Sequence, residues 1–171
     1  MQDFVHLHVH TQYSLLDGQA SVARLVDKAM KNGMKGIAVT DHGNMFGIKE
    51  FTNYVNKKNS GPKGEVKDLK KRIAGIEAGT IECADKEAEI AACKAKIVEA
   101  ENKLFKPVIG CEMYVARRTM DLKEGKPDQS GYHLIVLAKN EKGYHNLIKL
   151  VSHAWTRGYY MRPRTERSEL E

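Results

Sequence analysis

The chain has 171 residues, 42% hydrophobic and 29% charged, enough for one compact domain with a core of its own. No stretch approaches the ~18 uninterrupted apolar residues of a membrane span, and no basic segment followed by an apolar one opens the chain, so a cytoplasmic protein without a secretory signal is expected. The net charge of +6 arises from 28 Lys and Arg mixed with 22 acids, which is compatible with a polyanionic partner but does not require one.

Residues 4–10 alternate apolar and histidine positions and read as a strand. In "ASVARLVDKAMKNG", Ser21 is a good N-cap. Val22, Leu25, Val26, Ala29 and Met30 form a helical stripe, and Gly33 suits the residue after the C-cap. "KGIAVT" is a continuous apolar run of strand length, as for a strand covered on both faces. A glycine-rich loop, "DHGNMFG", leads into a short helix carrying Ile48, Phe51 and Val55. "KPVIGCEMYVA" and "HLIVLA" read as strands. Asn140 then caps a helix with Tyr144, Leu147, Ile148, Val151, Ala154 and Trp155 on one face. This order is mostly a βα alternation and favours a parallel sheet, open or closed into a barrel.

One stretch breaks the rhythm. Residues 65–104 are dominated by Lys, Glu and Ala, with Val66, Leu69, Ile73 and Ile76, then Ile90, Cys93, Ile97, Ala100 and Leu104, spaced by threes and fours. That is a narrow seam on two helices joined by a short connection, an antiparallel helical hairpin inserted at about 57–105. It is either a solvated insertion or a docking surface, since Lys67, Lys70, Lys71 and Arg72 lie close together. The cysteines Cys83, Cys93 and Cys111 are odd in number and never CxxC, which argues against a disulfide scaffold or a zinc finger.

Chemistry concentrates elsewhere. On a strand His6, His8 and His10 project to one side while Val5, Leu7 and Val9 pack on the other. Three neighbouring imidazoles are awkward core fillers, because each needs a hydrogen bond and protonation sets like charges side by side. A divalent metal resolves this, neutral imidazole being a favoured ligand; a solvated edge strand is the alternative. Asp41 and His42 end one apolar run, Glu112 follows another, and Asp17 lies in the loop after the first strand, all placed where a parallel barrel keeps its site. His133 stands at the wrong end of its strand for that arrangement, so the strand either begins earlier or runs against its neighbours. His145 and His153 on the last helix read as surface or packing residues, and Cys111 as a small core residue. The chain contains no G-x-S-x-G, P-loop or G-x-G-x-x-G motif.

"HLHVHTQYSLLDG", "AVTDHGNMFG", "KPVIGCEMYV" and "YHLIVLAKNEKGYHNLIKLVS" together resemble the N-terminal PHP (polymerase and histidinol phosphatase) domain of bacterial DNA polymerase III alpha subunits. The resemblance covers the chain except the hairpin. It implies a distorted (β/α)7 barrel with up to three divalent metal ions, zinc or manganese, held by His8, His10, Asp17, His42, Glu112 and His133. His6 is a neighbour on the same face and a further candidate ligand, and Asp41 is a carboxylate placed to receive the outer N–H of a ligating histidine. The family's later ligands, a cysteine and an Asp-x-His pair, are expected after position 171. A C-terminally truncated barrel, inactive alone and with an unpaired sheet edge, is therefore expected.

The resemblance implies metal-dependent phosphoester hydrolysis with a bridging hydroxide as nucleophile, and in the polymerase setting 3′–5′ proofreading of DNA. The implied partners are DNA, the rest of a polymerase chain and replisome subunits, with no membrane. A non-catalytic module that buttresses the polymerase is the rival reading, and a stand-alone small-molecule phosphatase a third. "RGYYMRPR" reads as a packed connecting loop or as a nucleic-acid contact.

Overall fold

In the computed structural model, residues 4–129 and 131–171 are described. They fall into two compact units. One takes in the chain up to Asn53 and from Pro107 to Glu171; the other is Tyr54–Lys106.

The first unit begins with a segment that lies beside a strand without becoming one. Ala38 N–H donates to the His6 carbonyl (2.8 Å) and Thr40 N–H to that of Val9 (2.9 Å), but Leu7 and His8 form a bend between these bonds. The expected strand over 4–10 is therefore corrected. Strict alternation fails with it, and Leu7 stays 49% exposed instead of packing. Helix α1 (Val22–Lys31) follows, with the Ser21 hydroxyl accepting from Arg24 N–H, Val22, Val26 and Ala29 buried, and Gly33 at φ +75° beyond its end. Strand β1 (Gly36–Val39) is buried at every position, as a run covered on both faces should be. Helix α2 (Ile48–Lys58) buries Ile48, Phe51 and Val55.

The second unit is built on α3 (Ser60–Glu77) and α4 (Lys86–Asn102). Its seam is the one the spacing predicts: Ile76, Cys93, Ile97 and Ala100 are buried. The glycine- and proline-containing "SGPKG" forms the first turn of α3. Asn59 does not cap that helix with its side chain. Its buried amide donates to the Phe105 carbonyl (2.8 Å) and accepts from the Phe105 N–H (3.0 Å), closing the neck of the hairpin across 46 residues.

Strand β2 (Lys106–Ala116) is the spine of the first unit. After the short helix α5 (Lys126–Gln129), β3 (Gly131–Leu137) runs antiparallel along one edge of β2, with Glu112 opposite Ile135 and Tyr114 opposite His133. Beyond α6 (Glu141–Thr156) come β4 (Tyr159–Tyr160), β5 (Arg162–Thr165) and α7 (Arg167–Leu170). β5 lies parallel to β2, and the sheet order is β1-β2-β5-β4 with β3 on the far edge of β2. The fold is mixed α/β with parallel pairings, and among the described residues the sheet is open, not closed into a barrel.

The two faces of β2 have different jobs. Cys111 and Met113 point to one side and pack against Leu147, Val151 and Ala154 of α6. Glu112 and Tyr114 point to the other. The "RGYYMRPR" stretch is split, with Gly158, Pro163 and Arg164 buried and Arg157, Tyr159, Met161 and Arg162 exposed. Arg164, fully buried, donates to the carbonyls of Gly158, Met120, Leu122 and Asp128 at 2.8–3.0 Å, and Arg157 pairs with Asp121. Those four carbonyls account for how an arginine can be buried without a carboxylate partner of its own.

Candidate metal centre

Glu112 is the hub. It sits in the middle of β2, not at its end as the sequence suggests, and its side chain is 3% exposed. Oε2 lies 2.6 Å from His8 Nε2 and 2.9 Å from His10 Nε2, and those two nitrogens are 3.0 Å apart. Oε1 meets His133 Nδ1 and lies 3.6 Å from His42 Nδ1. Sheet geometry causes this convergence. A parallel bridge sets His42 beside Glu112, and the antiparallel register of β3 sets His133 across from Tyr114, on the same face of the sheet. His133 is thus at the right end of its strand, because the strand both begins earlier than expected and runs against β2.

The sequence-predicted residues gather into three overlapping triads: His8, His10 and Glu112; His10, Asp17 and His42; and His42, Glu112 and His133. Asp17 joins through its Oδ2, 2.8 Å from His42 Nε2. His6 is not brought in. It lies edge-on to Phe4 and lines a cavity with Leu25, Ala29 and Met34 of the α1 side, and none of the triads among the described residues contains it. His153 pairs with Glu169 and His145 lies near Glu141, both on exposed surface.

Asp41 acts one step further back than expected. Its carboxylate, buried, accepts from the Thr11 amide (2.6 Å) and hydroxyl (2.8 Å) and from the Ser14 hydroxyl (2.6 Å). No histidine touches it directly; Ser14 Oγ stands between it and His10 Nδ1 at 3.0 Å. A carboxylate can only accept, so Ser14 spends its single proton on Asp41. Ser14 Oγ must then accept from His10, which fixes the proton on Nδ1 and leaves a lone pair on Nε2. That lone pair faces His8 Nε2 and Glu112 Oε2. Thr11 and Ser14, three apart in "HTQYS", were missed in the sequence; a hydroxyl pair flanking a histidine is a weak signal without a known partner.

The electrostatics suit a cation. Burial opposes ionisation of Glu112, yet the hydrogen bond from His8 and the proximity of His42, His133 and His10 hold its carboxyl below the usual range. The hydrogen bond from His42 does the same for Asp17. His42 Nδ1 is buried without a hydrogen-bond partner. Such an orphan is costly unless something satisfies it. Converging lone pairs, a buried carboxylate and an orphaned imidazole nitrogen together form a donor set that fits a divalent ion. Cys111 Sγ, on the opposite face, contacts the Asp41 carbonyl (3.4 Å) and takes no part in the triads.

A mixed sheet that gathers imidazoles and carboxylates in overlapping triads is compatible with a PHP domain. The chain belongs to that family, which it matches over residues 6–97 and 89–171. It is similar to the DNA polymerase III subunit alpha of Borreliella burgdorferi (40% identity over 98% of this chain and 11% of that protein), of Treponema pallidum (38%, over 95% and 10%) and of Aquifex aeolicus (32%, over 99% and 11%). The match is to the N-terminal PHP domain of such subunits. This chain spans about a tenth of their length. No helix among its described residues is long and apolar enough to cross a membrane.

Proposed function

We propose that the chain is the PHP part of a replicative DNA-directed DNA polymerase, and that its cluster serves metal-dependent phosphoester hydrolysis, 3′–5′ proofreading of DNA in the intact enzyme. In this reading the open sheet belongs to a distorted (β/α)7 barrel, and the working setting is the cytoplasm, with DNA and other replisome subunits as partners. The observation that carries it is Glu112, a buried carboxylate ringed by four imidazoles, one with an orphaned nitrogen.

His8, His10, Asp17, His42, Glu112 and His133 would hold up to three ions, zinc or manganese. Bound there, divalent metal would supply a water of lowered pKa and neutralise phosphate charge. The chain's own residues do the positioning. Ser14, oriented by Asp41, keeps the His10 lone pair turned inward. Tyr114, whose hydroxyl burial pushes above its ordinary pKa, walls the site as a neutral phenol, with the exposed cation of Arg162 over its ring.

The test is metal uptake and hydrolysis in one protein. Wild type and Glu112→Gln, in a chain extended to the full polymerase, are compared for bound metal and for shortening of 5′-labelled single-stranded DNA from its 3′ end. Loss of both in the variant supports the reading. Full retention of shortening without metal uptake contradicts it and favours the non-catalytic buttress.

A further inference from the structure

Next to the cluster lies a groove of about 210 Å³, lined among others by Tyr13, Phe46, Trp155 and Tyr159, none of which belongs to the triads. It shares His42, Tyr114 and Arg162 with a pocket of about 350 Å³ over Asp17 and His133. Three rings form a ladder in it. Trp155 and Tyr159 stack with centroids 5.5 Å apart and planes 18° from parallel, and Phe46 lies 6.4 Å from the indole. All three stay exposed, at 66% for Phe46, 43% for Trp155 and 48% for Tyr159. Rings that stabilise a fold are buried, whereas an exposed apolar cluster beside a cleft marks a binding surface.

The ladder is held in place by backbone. Trp155 Nε1–H donates to the Gly43 carbonyl at 2.7 Å. Gly43 has φ +58°, and a Cβ there would stand 2.5 Å from Pro163 Cγ, so the position admits no side chain. The buried Asn44 amide donates to the carbonyls of Tyr13 and His42 and accepts from Phe46 N–H, fixing the direction in which Phe46 projects. Strain points to the same place. The non-glycine residues with left-handed backbone are Leu16 (φ 67°) and Met161 (φ 61°), among the described residues. Both are exposed apolar side chains on the lips of these two pockets. Backbone of this kind is strained and gathers at ligand sites.

We infer that Phe46, Trp155 and Tyr159 form a base-stacking subsite for the unpaired 3′-terminal nucleotides of single-stranded DNA, with Arg162 on the backbone phosphate. The identity of the ligand rests on the phosphoester reading above. Every base has a π-face, so such a ladder is indifferent to sequence. Bases already stacked in a duplex cannot use it, and the site therefore selects a frayed end over a paired one.

Trp155 is the single tryptophan of the chain, so its fluorescence reports on the ladder directly. The chain is titrated in EDTA with a short oligothymidylate and with an abasic oligomer of equal charge. Saturable quenching by the oligothymidylate is expected, with the abasic oligomer on the order of tenfold weaker or worse. Phe46→Ala and Tyr159→Ala, both at exposed rings, each weaken binding by on the order of tenfold, and Arg162→Gln lowers the salt slope by about one. Absence of quenching, equal affinity for the two oligomers, or unchanged affinity in both ring variants overturns the inference. Glu112→Gln should leave quenching intact. Loss of metal uptake or hydrolysis alone therefore counts against the metal reading and not against the ladder.

Discussion

His133 meets the Glu112 carboxylate from a strand that runs opposite to the one carrying it. The cross-strand partner of His133 is Tyr114, two residues along the same face, so the imidazole reaches back toward Glu112 instead of facing it squarely. His133 belongs to one of the three triads, whereas Glu112, His10 and His42 each belong to two.

It follows that His133→Ala removes one metal position and spares the others. The expected result is a drop of about one ion per chain by elemental analysis, with the His8, His10 and Glu112 triad still loaded. An unchanged count places His133 outside the centre.

Ser14→Ala leaves every proposed ligand in place but removes the acceptor that holds the His10 proton on Nδ1. Outer partners of this kind are worth about 10–100-fold in metal affinity. A loss in that range is expected by competition with a chelator, together with about 1 kcal/mol of destabilisation from the buried hydroxyl. Ser14→Thr, which keeps the hydroxyl, should recover part of the affinity.

Asn59→Ala leaves two buried backbone groups of Phe105 without partners. At about 1–3 kcal/mol for an unsatisfied buried group, a cost of about 2 kcal/mol or more is expected in urea unfolding. Amide exchange at Phe105 should quicken, while Asn59→Asp, which can still accept, recovers the bond to its N–H alone.

Asp128 links charge to stability. The paired hydrogen bonds from Arg118, helped by the Glu124 amide, hold its carboxyl below the ordinary range. A carboxylate with a depressed folded-state pKa contributes stability above the unfolded value of about 3.9, and that contribution is lost as pH falls through the folded value. Asp128→Asn should melt lower than wild type at neutral pH, and the two melting curves should converge as pH falls through the depressed folded-state value. A constant gap across that window contradicts the pairing.

Burial pushes the Cys111 thiol up to about 12, with the Asp41 carboxylate adding to the shift, so it stays protonated at neutral pH. Cys93 is buried as well, and Cys83 is partly exposed. Native protein should alkylate quickly at Cys83 and slowly at the other two, with all three equal in denaturant, as read by peptide mass mapping.

Much of this architecture is written in periodic signals. α1, β1, α2, α6 and the hairpin seam follow from apolar spacing, and β2 spans the very residues whose composition suggests a strand. The misreadings have physical causes. The 4–10 segment alternates like a strand, but the bend at Leu7 and His8 leaves it only isolated bonds to β1. The direction of β3 depends on pairing with β2, which no local pattern encodes. Arg164 looks like a surface cation until the carbonyls of four distant residues close around it. The cluster residues were legible by type, while the Asp41–Ser14–His10 relay was not, because a buried serine carries no spacing signal.

Glu112 is the centre of the proposed metal site, and metal-dependent stabilisation tests this most directly. Wild-type chain and Glu112→Gln are melted with and without manganese or zinc. A ligand present at about 100 times its Kd stabilises the folded state by about 2.7 kcal/mol, so wild type should show a rise of several degrees that the variant loses. An equal rise in both proteins, or none in wild type at any metal concentration, would contradict it.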